Sequence, residues 1–204
     1  MSVGPCLVVL AAGASSRLGR CKALLRLTPR TPLELLCEAG RSLDAAPPLV
    51  IAGADHDQIA AAAPRGVEVL FNPDWRTGRT SGVRLAAAHR PGLDLCLAPV
   101  DVPLVPAAVF LALRTAWIAA ASPTRGWLAP CLLSPPGGAP RFGHPVVAGR
   151  GLLADLGSLA LDDPLRTLRE RAEPLFSVSV PHPEILDDLD TPGDFRRLRR
   201  RSRS

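Results

Sequence analysis

The sequence predicts an α/β fold: a doubly wound, mostly parallel open sheet with helices on both faces, in a single domain. Three observations predict it. Short apolar runs alternate with segments of helical pattern along most of the chain, with short connections between them. The first run, Cys6-Leu-Val-Val-Leu10, is apolar throughout rather than alternating, as a central strand covered on both faces requires. The chain has 204 residues, 47% of them hydrophobic, which suffices for one sizeable core, and neither an internal repeat nor a second apolar centre is evident.

Taken in order, Cys6 to Leu10 is the first strand and Ala11 to Cys21 a loop. Pro32 to Ser42 reads as a helix with Leu33, Leu36 and Cys37 on one side, followed by a strand at Leu49 to Ala52. A helix at Asp57 to Ala63, with Asp55 as its cap, leads to a third strand at Val67 to Phe71. Thr80 or Ser81 can cap a helix ending at His89, and Leu93 to Ala98 is the fourth strand. Pro106 to Ala121 reads as a helix with proline in its first turn. The pattern then breaks into a flap, Ser134 to Pro140, bracketed by short strands at Trp127 to Leu133 and Pro145 to Ala148. Helices at Gly151 to Leu156 and Asp163 to Arg171, a strand at Leu175 to Val180, and a helix from Thr191 complete the domain, taken as residues 1–198.

Charge and composition narrow the function. Of the 24 basic residues, six arginines fall in the last nine positions, leaving 18 basic against 19 acidic residues elsewhere. The basicity therefore belongs to the C-terminus, residues 199–204 forming an Arg-rich tail. Without interleaved aromatic residues the tail reads as a solvated, frayed helix end, so nucleic acid is not an expected partner. No uncharged apolar run reaches the roughly 18 residues of a membrane span, and no basic segment precedes the apolar N-terminal stretch. The expected location is cytoplasmic. Five widely spaced cysteines with no CxxC pair exclude a disulfide scaffold or structural zinc site and read as reduced, mostly buried thiols. His56, His89 and His182 read as exposed, without partners.

Against 23 arginines the chain has one lysine, Lys22. A compact ammonium on a flexible stem and a planar guanidinium are not interchangeable at a phosphate. Lys22 ends the loop Leu10-Ala-Ala-Gly-Ala-Ser-Ser-Arg-Leu-Gly-Arg-Cys-Lys22, whose small residues let backbone N–H groups approach a polyanion while Arg17 and Lys22 supply charge. The spacing fits neither GxGxxG nor GxxxxGK[ST].

The loop resembles the LAAGxSxRMGxxK signature of the MobA-like nucleotidyltransferases, with Leu18 in place of methionine. Asn72-Pro-Asp-Trp-Arg-Thr-Gly78 with Ser81 resembles that family's NPxWxxG…S segment, and Pro99-Val-Asp-Val-Pro103 its metal-carboxylate loop. Arg141-Phe-Gly-His-Pro145 is similar to the GHP segment of the molybdenum cofactor cytidylyltransferase branch. Asp188-Leu-Asp-Thr-Pro-Gly-Asp194 is similar to the closing DxDTPxD motif, with Gly193 replacing an acidic residue. The resemblance implies a Rossmann-like nucleotidyltransferase fold and Mg²⁺ held by Asp101 and Asp190, with Asp188 as the alternative second ligand. On the residues alone, Asp101 also suits a turn before Pro103, and Asp190 also suits a cap on the last helix.

The same resemblance implies that backbone groups of Leu10, Ala11, Ala12 and Gly13, with Asn72 and Ser81, hold a nucleotide whose phosphates Arg17 and Lys22 grip. Gly143 and His144 would line the acceptor side. Lys22, Arg17 and Asp101 are then the catalytic set. An ionised acceptor phosphate needs no general base, and none is evident. Ala11-Ala12-Gly13, where the guanylyl branch tends to read AGG, points to CTP, with molybdopterin-bound molybdenum as acceptor and a molybdenum hydroxylase as client. The alternatives are another phosphorylated acceptor or GTP, and a non-catalytic nucleotide or cofactor chaperone. No Ser-His-Asp order or GxSxG elbow supports a hydrolase.

Overall fold

The structure is a computed structural model that describes residues 4–43, 46–133 and 138–202. Its first strand, β1 (Cys6–Ala11), is apolar for a visible reason: Leu7 and Val9 enter a core on one side of the sheet, Cys6 and Val8 a second core on the other. The loop after it leads through a 3-10 turn at Lys22–Leu24 to α1 (Pro32–Ala39), which starts on a capping box made by Thr31 and Glu34. The chain continues through β2 (Leu49–Ala52), α2 (His56–Ala62), β3 (Glu68–Phe71), α3 (Arg79–His89), β4 (Leu95–Pro99) and α4 (Ala107–Ala119). Then come β5 (Trp127–Leu132), β6 (Arg141–Phe142), β7 (Val146–Ala148), α5 (Arg150–Ala154), α6 (Leu165–Arg169), β8 (Leu175–Ser179) and α7 (Pro192–Arg201).

Among the described residues one eight-stranded sheet has the order β3-β2-β1-β4-β7-β5-β6, with β8 added on β5. The pairs β1–β2, β2–β3, β1–β4 and β5–β8 are parallel; β7 runs antiparallel to both β4 and β5. The predicted doubly wound sheet is present, and its antiparallel part is confined to the excursion around the Pro/Gly-rich segment. Residues 134–137 of the expected flap lie outside the described residues. The two cores match the two helical layers: α1, α2 and α4 cover one face, α3, α5 and α6 the other. From β1 the chain moves outward through β2 and β3, then returns to place β4 on the opposite side of β1. Such a reversal opens a crevice beyond the carboxyl ends of the two central strands.

Several local expectations are corrected. Asp55 stands at the start of α2 but its side chain makes no capping bond. Gly78, at φ 139°, precedes α3, so Thr80 and Ser81 lie inside its first turn rather than capping it. Their hydroxyls go elsewhere: Thr80 donates to the Asp163 carbonyl and Ser81 to the carbonyl of Gly78. Pro106 precedes α4 instead of lying within it. The last helix runs to Arg201, so the boundary placed after residue 198 falls inside it. It is docked, not frayed: Arg197 and Arg201 both pair with the buried Asp187, at 3.1 and 2.5 Å. The histidines also have partners, His89 with Glu68, His56 with Asp57 and His182 with Glu184. Four cysteines are buried and Cys21 is partly exposed, all as free thiols. No helix among the described residues is long and apolar enough to cross a membrane.

Candidate functional site

The site is built where β1 and β4 end side by side. Leu10 pairs with Pro99 in the sheet, and the Val100 amide donates to the Leu10 carbonyl, so the loops leaving both strands share one rim. The first loop turns at Ser15, a non-glycine residue at φ 50°, whose carbonyl accepts from the amides of Leu18 and Gly19. Its hydroxyl accepts from the Lys22 amide at 3.0 Å, bringing the end of the loop back over its start. Leu18 then packs with Leu27, Leu189 and Leu198 in a small third core, which pins the loop against α7.

That core also explains how a residue 168 positions away in sequence reaches Lys22. The Leu189 amide donates to the Asp101 carbonyl at 2.7 Å, which sets the segment before α7 beside the loop after β4. Thr191 and Asp194 form the capping box of α7, so the cap that Asp190 could have supplied is already present. The Asp190 carboxylate instead accepts from Lys22 Nζ at 2.6 Å. Asp101 lies on the other side of the same ammonium, 3.9 Å away, and receives Arg79 Nη2 at 3.2 Å. Arg17 Nη1 approaches Asp190 at 3.8 Å. Three cations and two acids therefore alternate along one rim. Lys22 and Asp101 are largely enclosed, with side-chain exposures of 14% and 17%, against 73% for Arg17.

The electrostatics follow from this order. The hydrogen bond and charge of Lys22 hold the Asp190 carboxyl below the usual carboxylate range. Asp188 moves the other way, raised by burial and then by the charges of Asp101 and Asp190. Acidic groups crowded this closely suit a hard divalent cation, which takes one or two carboxylates and fills its shell from phosphate and water. Among the described residues no three ligating side chains form a ready-made cage. Asp101 with Asp190, or with Asp188 beside them, could supply the carboxylates for such an ion.

Beneath the rim lies a cavity of about 230 Å³, walled by Leu10, Ala11, Ala12 and Gly13 on one side and by Lys22 and Asp101 on another. Asn72 reaches it as well, but Ser81 does not. Asn72 donates to the Ser81 hydroxyl at 2.9 Å and accepts from the Asp74 amide, so Ser81 fixes Asn72 from behind. A second cavity, of about 460 Å³, contains Gly143 and His144. Gly143 is required there by packing, since a Cβ would fall 2.4 Å from the Ile185 carbonyl oxygen. His144 has its Nδ1 buried without a hydrogen-bond partner, and burial, then Arg79, depresses its pKa. Sequence reasoning passed over Arg79 and the arginines of the second cavity, Arg166 and Arg169. Among 23 arginines none of them stands out.

A comparison with curated protein sequences returns no match. Solved structures are similar over nearly the whole length. Rv0371c from Mycobacterium tuberculosis H37Rv is 25% identical with a TM-score of 0.75, covering 96% of this chain and 98% of that one. A complex of Rv0371c with manganese gives 24% identity and a TM-score of 0.72, over 97% and 98% of the two chains. The molybdopterin-guanine dinucleotide biosynthesis protein A of Archaeoglobus fulgidus shares the fold, with 16% identity, a TM-score of 0.71 and coverage of 97% and 98%. The family model described as the MobA-like NTP transferase domain matches residues 7–175, from β1 through the start of β8. That span holds Lys22 and Asp101 and leaves Asp190 to the segment beyond it, and it places the chain in the MobA-like NTP transferase domain family.

Proposed function

We propose that the chain transfers CMP from CTP to the phosphate of a molybdopterin-type molybdenum cofactor and releases pyrophosphate, in the presence of Mg²⁺. The observation that carries this reading is the alternating array Arg17, Asp190, Lys22, Asp101 at the mouth of the loop-walled cavity. A site that only bound nucleotide would have no use for two acids on one ammonium. The choice of CTP rests on Ala11-Ala12-Gly13, and that of the acceptor on the GHP segment at Gly143 to Pro145.

The base and ribose lie against Leu10 to Gly13, with Asn72 fixed by Ser81 at the cavity wall. Lys22 and Arg17 carry the triphosphate. The ammonium, with three donors on a flexible stem, follows charge as it grows on the leaving pyrophosphate. An oxygen of the acceptor phosphate forms the new bond to the α-phosphorus as the bond to the bridging oxygen breaks, and the electron pair leaves with pyrophosphate. That nucleophile is already ionised near neutral pH, so the chain supplies position and charge rather than a base. Asp101 and Asp190 would hold Mg²⁺, which would supply Lewis-acid neutralisation of phosphoryl charge. His144, kept neutral by burial and by Arg79, belongs to the acceptor wall and adds no charge there. The product would pass to a client molybdenum hydroxylase.

Pyrophosphate release with each of four nucleoside triphosphates, against molybdopterin-bound molybdenum, sugar phosphates and phosphocholine, tests the assignment. Release is expected with CTP, the molybdenum cofactor and Mg²⁺ together. Equal turnover with GTP or with a sugar phosphate overturns the substrate choice, and Mg²⁺-independent nucleotide binding without turnover favours a chaperone.

A further inference from the structure

Arg79 belongs to both cavities. It follows Gly78 at the start of α3, touches Asp101 on the nucleotide side, and lines the wall that contains His144 on the other. The second cavity has a one-sided charge. Arg79, Arg166 and Arg169 line it, and no aspartate or glutamate does. Among the described residues Arg166 and Arg169 have no acidic partner, and they lie three positions apart on α6, on neighbouring sites of one helical face. Facing them is an apolar and aromatic wall that includes Trp127, Phe142 and Phe176, with Phe142 half exposed. Half-exposed aromatic surface beside unpaired guanidinium groups suits a flat ring system that carries anionic groups at two places.

We propose that the second cavity takes such an acceptor with its reacting phosphate on Arg79, at the seam between the cavities, and its remote anionic group on Arg166 and Arg169. This rests on the assignment of the first cavity to the nucleotide. Arg79 is then the residue that carries the nucleophilic oxygen across to the α-phosphorus, while the α6 arginines set how far the acceptor extends.

Two measurements test this. Calorimetric titration with 1-naphthyl phosphate, a flat aromatic monophosphate, is expected to show binding that Arg79→Ala weakens at least tenfold and Arg79→Lys only in part. CTP with Mg²⁺ is expected to lose less affinity than naphthyl phosphate in both variants, although Arg79 also lines the nucleotide cavity and pairs with Asp101. In the transfer assay, the double variant Arg166→Ala, Arg169→Ala should raise KM for the molybdenum cofactor at least tenfold with KM for CTP and kcat little changed. These two side chains are exposed, so the fold is not at risk. Equal weakening of CTP and naphthyl phosphate by Arg79→Ala, or an unchanged acceptor KM in the double variant, overturns the proposal. Naphthyl phosphate binding that depends on Arg79 in a protein inactive toward the molybdenum cofactor sustains it and removes only that acceptor.

Discussion

Lys22 is held between Asp190 at 2.6 Å and Asp101 at 3.9 Å, a compact ammonium with three rotatable donors in a place where a guanidinium would present a planar fork. Removing the ammonium from the proposed transfer should cost about 3 kcal/mol of transition-state stabilisation, as deletion of an oxyanion donor does. Lys22→Ala is therefore expected to lower kcat at least about a hundredfold, with an unchanged circular dichroism spectrum. Near-normal turnover would exclude the assignment. Asp101→Asn keeps the shape of the side chain and removes its charge, so activity should no longer rise with added Mg²⁺; a retained Mg²⁺ response places the ion elsewhere. Lys22 was legible in the sequence because it is the single lysine among 23 arginines. Arg79 was not, for the converse reason: one more guanidinium in such a composition carries no signal, and its reach to Asp101 depends on the return of the chain across 22 positions.

At the scale of elements, α7 decides whether Asp190 reaches the site. Its Thr191-Pro-Gly-Asp194 start was readable as a helix beginning, and the capping box confirms why: the Thr191 hydroxyl accepts from the Asp194 amide and the Asp194 carboxylate accepts from that of Thr191. The docking of its far end was not readable, because Asp187 and Glu184 lie between 10 and 17 positions from the arginines they pair with. The Asp194 carboxyl is held down from an ordinary 3.8 to about 2, first by its bond with Thr191. A depressed carboxyl contributes stability that is fully present above its unfolded value and is lost as the pH falls toward its folded one. Chemical denaturation between pH 5 and 2 should thus show a loss of stability between about pH 4 and 2 that Asp194→Asn reduces. Equal acid sensitivity of the two proteins would mean the box does not hold in solution. Thr191→Ala should cost about 1 kcal/mol, read in the same titration at pH 7.

Across the whole molecule, the parallel strands were legible, and so were β5 and β7 on either side of the flap; β6 and the antiparallel pairing were not. Runs such as Leu49 to Ala52 announce buried strands, whereas β6 is two residues long and exposed, too short to carry a period. The two helical layers that cover this sheet are tied together by one buried acid, Asp94, just before β4. Trp117 of α4 donates its indole N–H to Asp94 Oδ2 at 2.9 Å, from the core on one face. Arg150, at the start of α5 on the other face, gives its amide to Asp94 Oδ1 at 2.9 Å and its guanidinium to the same oxygen at 3.1 Å. Asp94 lies at the opposite end of β4 from the loop that bears Asp101, so its effect should fall on stability and not on chemistry. Asp94→Ala leaves the Trp117 N–H buried without an acceptor and removes the charge on which Arg150 rests, a loss of about 3 kcal/mol. For a chain of this size that lowers Tm by about 6–12 °C. KM for nucleotide and acceptor, measured well below the lowered Tm, should be unchanged. Asp94→Asn, which retains an acceptor for the indole and loses only the charge, should fall between the two. A Tm within about 2 °C of the parent for Asp94→Ala would show that packing, and not this acid, joins the layers.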